Sequence, residues 1–322
     1  MTTRLAPLAA PQLLSRLHPV ISRLREAVPD VDLAVIGDHV FPEGLIGGIR
    51  QSLRERFQAI TGIGLSLPFT ARVPILRHRV ASRDGVPPLS YLAAGDPAGR
   101  RVVFVHGTPG NATDWQAFLH APALNQHRLA IDRPGFGESG PQEPVISLSD
   151  QARAIAVLLE SVGGPAVVVG SSYGGPVALR LAADHPDLVA GLLLVGGAAD
   201  PGREQTHPLQ RLAAAPAIAA MMPRALAHSN AELLALRGEL EALADDIGRI
   251  QAPVTILHGL RDTLVPTENT AYVAERLKGV ARKRVVLVAQ AGHFLHLLAR
   301  GHVEDALSDL LASTSVAHPV HA

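Results

Sequence analysis

From about residue 72 onward this 322-residue chain carries short runs of Val, Ile and Leu with no polar residue among them, such as Val167-Val168-Val169 and Leu192-Leu193-Leu194-Val195. A strand with one wet face alternates apolar and polar residues. An unbroken run needs apolar cover on both faces, as in a parallel sheet between two layers of helices. Strands are expected at 73–80, 89–93, 101–106, 128–132, 166–170, 188–196, 253–258 and 284–289. The first two flank an Asp84-Gly85 dipeptide, the composition of a tight hairpin turn. Helix-length stretches follow at 148–162, 174–184, 267–278 and 302–312. Strand–helix alternation after an initial hairpin describes an α/β fold with a doubly wound, mostly parallel sheet.

Two intervals do not follow this alternation. Residues 199–249 separate two strand candidates by more than a connecting loop requires, and Leu233, Leu234, Leu236, Leu240 and Leu243 recur there at helical spacing. This interval reads as a small helical cap that divides the core into 72–198 and 250–312. Residues 1–71 read as an N-terminal helical extension. Leu13, Leu14, Leu17, Val20, Ile21, Leu24 and Val28 have the spacing of one helix, closed by Pro29 and Asp30, and Ile49, Leu53, Phe57 and Ile60 that of a second. These helices are expected to pack on the main domain, with contact to a membrane surface or a second copy as the alternative. Residues 313–322 are a short polar tail.

Composition removes several function classes. Lys and Arg number 29, as do Asp and Glu, and a chain without net charge lacks the electrostatic footprint of a nucleic-acid binder. The absence of cysteine excludes a disulfide framework, a thiolate metal site and a Cys nucleophile. No apolar run reaches the ~20 residues of a membrane helix, and Pro7, Pro11 and Arg16 interrupt the N-terminus where a signal peptide needs its apolar stretch. A cytoplasmic location is the resulting expectation. No phosphate-cradling or dinucleotide motif occurs in context, so no cofactor is expected.

Chemistry concentrates in Gly170-Ser171-Ser172-Tyr173-Gly174, which follows the triple Val and opens a helical stretch. G-x-S-x-G between a strand and a helix makes a sharp turn that lifts one serine out of the sheet, and bulky residues two positions to either side would clash in it. Ser172 has Gly on both sides at that distance. Ser171 has Val169 and Tyr173, so Ser172 is the candidate nucleophile.

Such a serine needs a base, and the base needs a carboxylate to fix its tautomer. Asp262 follows the strand at 253–258, with Asp200 in reserve. His293 follows the strand at 284–289, where Gly292 would allow close approach. His296 is assigned to packing; a metal site at His293 and His296 lacks a third ligand motif. After the strand at 101–106 comes Gly107-Thr108-Pro109-Gly110. Thr108 can supply a backbone N–H for an oxyanion beside that of Tyr173, whereas Pro109 has none. His106 is expected to brace this loop.

Together with Asp132-Arg133-Pro134-Gly135-Phe136-Gly137-Glu138-Ser139, His258-Gly259-Leu260-Arg261-Asp262 and Gly292-His293, these segments resemble the α/β-hydrolase superfamily over residues 72–312. The resemblance implies Ser172 as nucleophile, Asp262 as acid, His293 as base, and Thr108 and Tyr173 as oxyanion donors. It also implies a structural role for the Asp132–Ser139 loop and a cis peptide at Pro109. A serine at the elbow points to acyl transfer. The partner is then a small hydrophobic ester, with Leu212, Ile218, Met221, Met222 and Leu226 of the cap as candidate walls. A carbon–carbon bond hydrolase would need a cation for its substrate carboxylate, from Arg203, Arg211 or Arg224. A proline iminopeptidase would need carboxylates, from Glu204, Glu232 or Glu239. Acyl transfer to an acceptor other than water and a non-catalytic binding module complete the alternatives. Nothing in the pattern fixes an oligomeric state.

Overall fold

A computed structural model of the chain describes residues 21–26, 28, 31–36, 74–120 and 125–314. The second N-terminal helix expected at 45–60 and the tail beyond 314 lie outside the described residues.

The apolar runs become the strands of one nine-stranded sheet. These are β1 (Asp32–Ile36), β2 (Leu76–Val80), β3 (Leu89–Gly95), β4 (Arg100–Val105), β5 (Gln126–Ile131), β6 (Ala166–Ser171), β7 (Val189–Val195), β8 (Val254–Gly259) and β9 (Lys283–Val288). Their order is β1-β9-β8-β7-β6-β4-β5-β3-β2. The β2–β3 and β3–β5 pairs are antiparallel and all others parallel. In the β2–β3 hairpin, Asp84 and Gly85 both take positive φ, 53° and 77°, which a tight primed turn requires.

The unbroken runs are covered twice, as their composition demands. Val103, Val168, Leu192 and Leu194 enter one apolar cluster, while Val102, Val167, Val169 and Leu193 enter the other. Successive side chains of a strand point to opposite faces, so both faces of β4, β6 and β7 are dry. Helices α1 (Leu148–Ser161), α2 (Gly174–Asp184) and α5 (Glu268–Arg276) pack on the first face, and α6 (Arg300–Ser313) on the second. The cap leaves the sheet after β7 and rejoins it at β8. It contains α3 (Pro208–Ala213) and α4 (Arg224–Leu243), whose Leu236, Leu240 and Leu243 are buried in the first cluster.

The N-terminal segment is more than helical. Residues 21–26 form a helix whose Leu24 is fully buried in the main core, and β1 then adds a parallel edge strand to β9, with Asp32 opposite Arg284. The five residues of β1 carry no pattern longer than the helix before them. What makes them a strand is the row of backbone groups that β9 otherwise leaves unpaired at the sheet edge.

The strand order also locates a crevice. β4 and β6 are neighbours, yet the chain proceeds from β4 outward through β5 and from β6 outward the other way through β7, β8 and β9. Ligands of open α/β sheets bind at such a reversal, beyond the carboxyl ends of the strands.

Candidate active site

Ser172 stands at that reversal, one residue past β6. Its φ of +53° lies in the left-handed region that non-glycine residues rarely occupy, and its N–H is held by the Val195 carbonyl at 3.1 Å. The flanking glycines are obligatory. A Cβ on Gly170 would sit 2.3 Å from the Gly174 carbonyl oxygen, and one on Gly174 would sit 2.3 Å from that of Val105. The helix that follows, α2, points its amino end at the turn, where helix dipoles favour negative charge.

Around Ser172 the structure brings together the residues singled out from sequence. His293 Nε2 lies 3.0 Å from Ser172 Oγ, and His293 Nδ1 lies 2.8 Å from Asp262 Oδ2. The Asp262 side chain is fully buried, and its other oxygen accepts the backbone N–H groups of Leu264 (2.9 Å) and Val265 (2.8 Å). Burial alone would push its pKa up. Hydrogen bonds from His258 and His293, the charge of His293 and the Val265 amide outweigh that and hold the carboxyl well below the ordinary carboxylate range. Asp200, the reserve candidate, instead caps the turn Pro201–Arg203, accepting the Gly202 N–H at 2.9 Å.

Two details depart from the sequence reading. Close approach between the Asp262 and His293 loops depends on Gly259 rather than Gly292: a Cβ on Gly259 would meet the Ala291 oxygen at 2.4 Å, whereas one on Gly292 finds only ordinary contact, at 3.6 Å. A second histidine also reaches Asp262. His258, fully buried, places Nε2 2.9 Å from the Val265 carbonyl and 3.3 Å from Asp262 Oδ2. Its position four residues before the aspartate in His258-Gly259-Leu260-Arg261-Asp262 is the signal that could have identified it.

The loop after β4 closes the other side. Gly107 packs on the Ser172 side chain, where an added Cβ would meet the serine Cβ at 3.0 Å. Among the described residues no protein acceptor takes the backbone N–H of Thr108 or of Tyr173. The Thr108–Pro109 peptide is cis, as the resemblance implied. His106 braces the loop as expected, with Nδ1 2.7 Å from the Gly107 carbonyl and Nε2 accepting the Arg133 N–H at 2.9 Å.

These residues open into a cavity of about 480 Å³, within the usual size range of small-molecule sites. Leu264, Val265 and Phe294 wall it from the core, and Leu233 and Leu236 from α4, while Glu204, Gln205, His207 and Gln210 bring polar groups from the start of the cap. The expected apolar walls are therefore misplaced. Leu212, Ile218 and Met221 are exposed, and neither they nor Met222 and Leu226 line the cavity. The spacing identified these segments as helical but could not say which face each helix turns inward. Glu204 does line the cavity, and burial, with a smaller contribution from Asp200, raises its pKa.

Similarity to known proteins is consistent with this arrangement. The profile of the Alpha/beta hydrolase family matches residues 102–304. The chain is 28% identical over 262 residues to a putative carbamate hydrolase of Variovorax paradoxus, covering 71% of this chain and 97% of the relative. It is 30% identical over 236 residues to an esterase of Mycobacterium tuberculosis, covering 60% and 76%. Among solved structures, a putative aryl esterase from Burkholderia cenocepacia superposes with a TM-score of 0.60 at 26% identity, covering 74% of this chain and 99% of the other.

Proposed function

The chain belongs to the alpha/beta hydrolase family, and on that premise we propose that it is a serine hydrolase cleaving carboxylic esters of small, largely apolar molecules through an acyl-enzyme. The observation that carries this reading is the continuous chain from Ser172 Oγ to His293 Nε2 (3.0 Å) and from His293 Nδ1 to Asp262 Oδ2 (2.8 Å) at the floor of the cavity.

With Nδ1–H donated to the Asp262 carboxylate, His293 presents the lone pair of Nε2 to the serine hydroxyl. Ser172 Oγ attacks the ester carbonyl as His293 takes the hydroxyl proton. The carbonyl π bond opens to an oxyanion facing the Thr108 and Tyr173 amides, whose hydrogen bonds strengthen as the charge develops. Collapse of this intermediate expels the alcohol, which receives the proton from His293 Nε2. Water, deprotonated by the same imidazole, then attacks the acyl-enzyme and releases the acid. Asp262 remains ionised throughout, fixing the tautomer and stabilising the imidazolium.

The chemistry of the walls favours esters over the alternatives. No Lys or Arg is among the described residues lining the cavity, so Arg203, Arg211 and Arg224 offer no grip on a substrate carboxylate. Arg203 lies 3.6 Å from Glu268, and Arg224 binds the Gly137 carbonyl and Gln142. Of the three glutamates, Glu232 is bound by Arg133, Glu239 accepts the Leu148 N–H, and only Glu204 reaches the cavity. The test is turnover of p-nitrophenyl esters of increasing acyl length beside Ser172→Ala. Turnover that vanishes in the variant supports the reading. A folded wild-type protein inert to all of these esters overturns it.

A further inference from the structure

Helix α4 of the cap buries one carboxylate that its apolar stripe does not explain. Glu232 has no solvent exposure, and neither has its partner Arg133. Removing both charges from water costs free energy that their attraction only partly returns, so stability alone is a poor reason for such a pair. Its contacts lead elsewhere. Glu232 accepts hydrogen bonds from both terminal nitrogens of Arg133, from Gln151 Nε2 at 2.9 Å, and from Thr108 Oγ1 at 2.5 Å. Arg133 in turn donates from Nε to the His106 carbonyl and from Nη2 to the Gly107 carbonyl, both at 2.9 Å.

Those carbonyls belong to the loop after β4, and the geometry of the peptide unit makes the grip consequential. In a planar trans peptide the C=O and N–H point in opposite directions. The Gly107 oxygen is drawn toward the buried Arg133 and His106, so the Thr108 N–H of the same peptide is turned the other way, to the side on which Gly107 meets Ser172. The Thr108 side chain is tethered to the same carboxylate.

We propose that Glu232 is a positioning residue for the oxyanion site. Through Arg133 and Thr108 it aims the Thr108 amide at the reacting carbonyl, and it thereby makes turnover depend on how the cap helix is seated. This rests on the serine-hydrolase reading above.

Glu232→Gln keeps the size of the side chain and removes its charge. Loss of one oxyanion donor outright costs about 10²–10³ in kcat, so misaiming one is expected to lower kcat about 10- to 100-fold with KM for p-nitrophenyl acetate within roughly threefold. A trifluoromethyl ketone supplies the readout that a merely structural residue would not move. Ser172 Oγ adds to its carbonyl, the serine proton passes to His293, and the resulting oxyanion occupies the same site. Its affinity should fall by the same factor as kcat/KM, while that of the matching methyl ketone stays unchanged. A folded Glu232→Gln protein with wild-type kcat overturns the proposal, as does a fall in kcat/KM without loss of trifluoromethyl ketone affinity. If this variant does not fold, Thr108→Val removes only the hydroxyl tether. It should lower kcat and trifluoromethyl ketone affinity together, and unchanged values overturn the proposal. Labelling of wild-type Ser172 by a fluorophosphonate separates the two readings. Without labelling the serine-hydrolase assignment itself fails, whereas with labelling a negative result falls on Glu232 alone.

Discussion

Two serine–histidine pairs lie side by side at the mouth of β6, and they differ in everything except residue type. Ser172 faces His293, and Ser171 Oγ lies 3.1 Å from His296 Nδ1; all four residues line the same cavity. Ser171 is the last residue of a strand, almost wholly buried, and the ring of its histidine packs, tilted, 4.9 Å from that of Trp115. Ser172 is lifted out of the sheet by a left-handed backbone, and its histidine is oriented by a buried carboxylate held below the usual range. On the proposed reading, nucleophilicity depends on the turn that presents the oxygen and on the third group that orders the imidazole. The second pair has the composition of a catalytic dyad and the setting of a packed core contact.

The comparison can be broken by exchanging what each pair has. Ser172→Ala should lower kcat about 10⁶-fold, and adding His293→Ala should cost little more, because the residues act as a unit. Measured ester turnover that survives Ser172→Ala and disappears with Ser171→Ala would reverse the assignment. Asp262→Asn, which leaves the geometry but spoils the tautomer, should cost about 10³–10⁴ in kcat. Ser171→Ala should act on stability: it removes one hydrogen bond of a buried imidazole, worth about 0.5–1.5 kcal/mol in denaturant titration, with kcat changed less than about tenfold.

The smallest effects are pH effects, with opposite signs for the two carboxylates. The folded-state pKa of Asp262 is depressed, so its stabilising contribution is present above the unfolded-state value of about 3.9 and is lost as pH falls through the folded one. Acid unfolding followed by circular dichroism should therefore be less steep in Asp262→Asn. The Glu204 pKa is raised by burial, so its side of the cavity gains negative charge only above the ordinary carboxylate range. The kcat/KM ratio of an anionic ester to a neutral one should fall as pH rises through that interval. Glu204→Gln should flatten the ratio.

What could be read from sequence was whatever is encoded over a few adjacent residues. The elbow around Ser172, the glycine loop before Thr108 and the double-sided strands each carry their reason within a short window, because the turn or the burial is local. The unanticipated parts are relations at a distance. β1 is a strand because β9 has a free edge, and Glu232 is meaningful because Arg133 reaches it from 99 residues away. The cap leucines and methionines showed helical spacing, but that spacing cannot say whether Met221 looks at the cavity or at water. His258 lay in plain view within its motif. Its second role, on Asp262, needs the Val265 turn folded back over it.

The placement of the cap bears on how such a protein changes over time or under design. Because the insertion departs after β7 and returns at β8, both of its ends lie outside the strand pairings of the sheet. Its seating on the core rests on Leu236, Leu240 and Leu243 in the first apolar cluster and on the buried pair of Glu232 with Arg133. A transplanted cap that brings no acid to the place of Glu232 would strand Arg133, a guanidinium with no access to water, beneath the loop it steadies. Chimeras of this scaffold are therefore best screened first for that one carboxylate, before the shape of the new lid is considered.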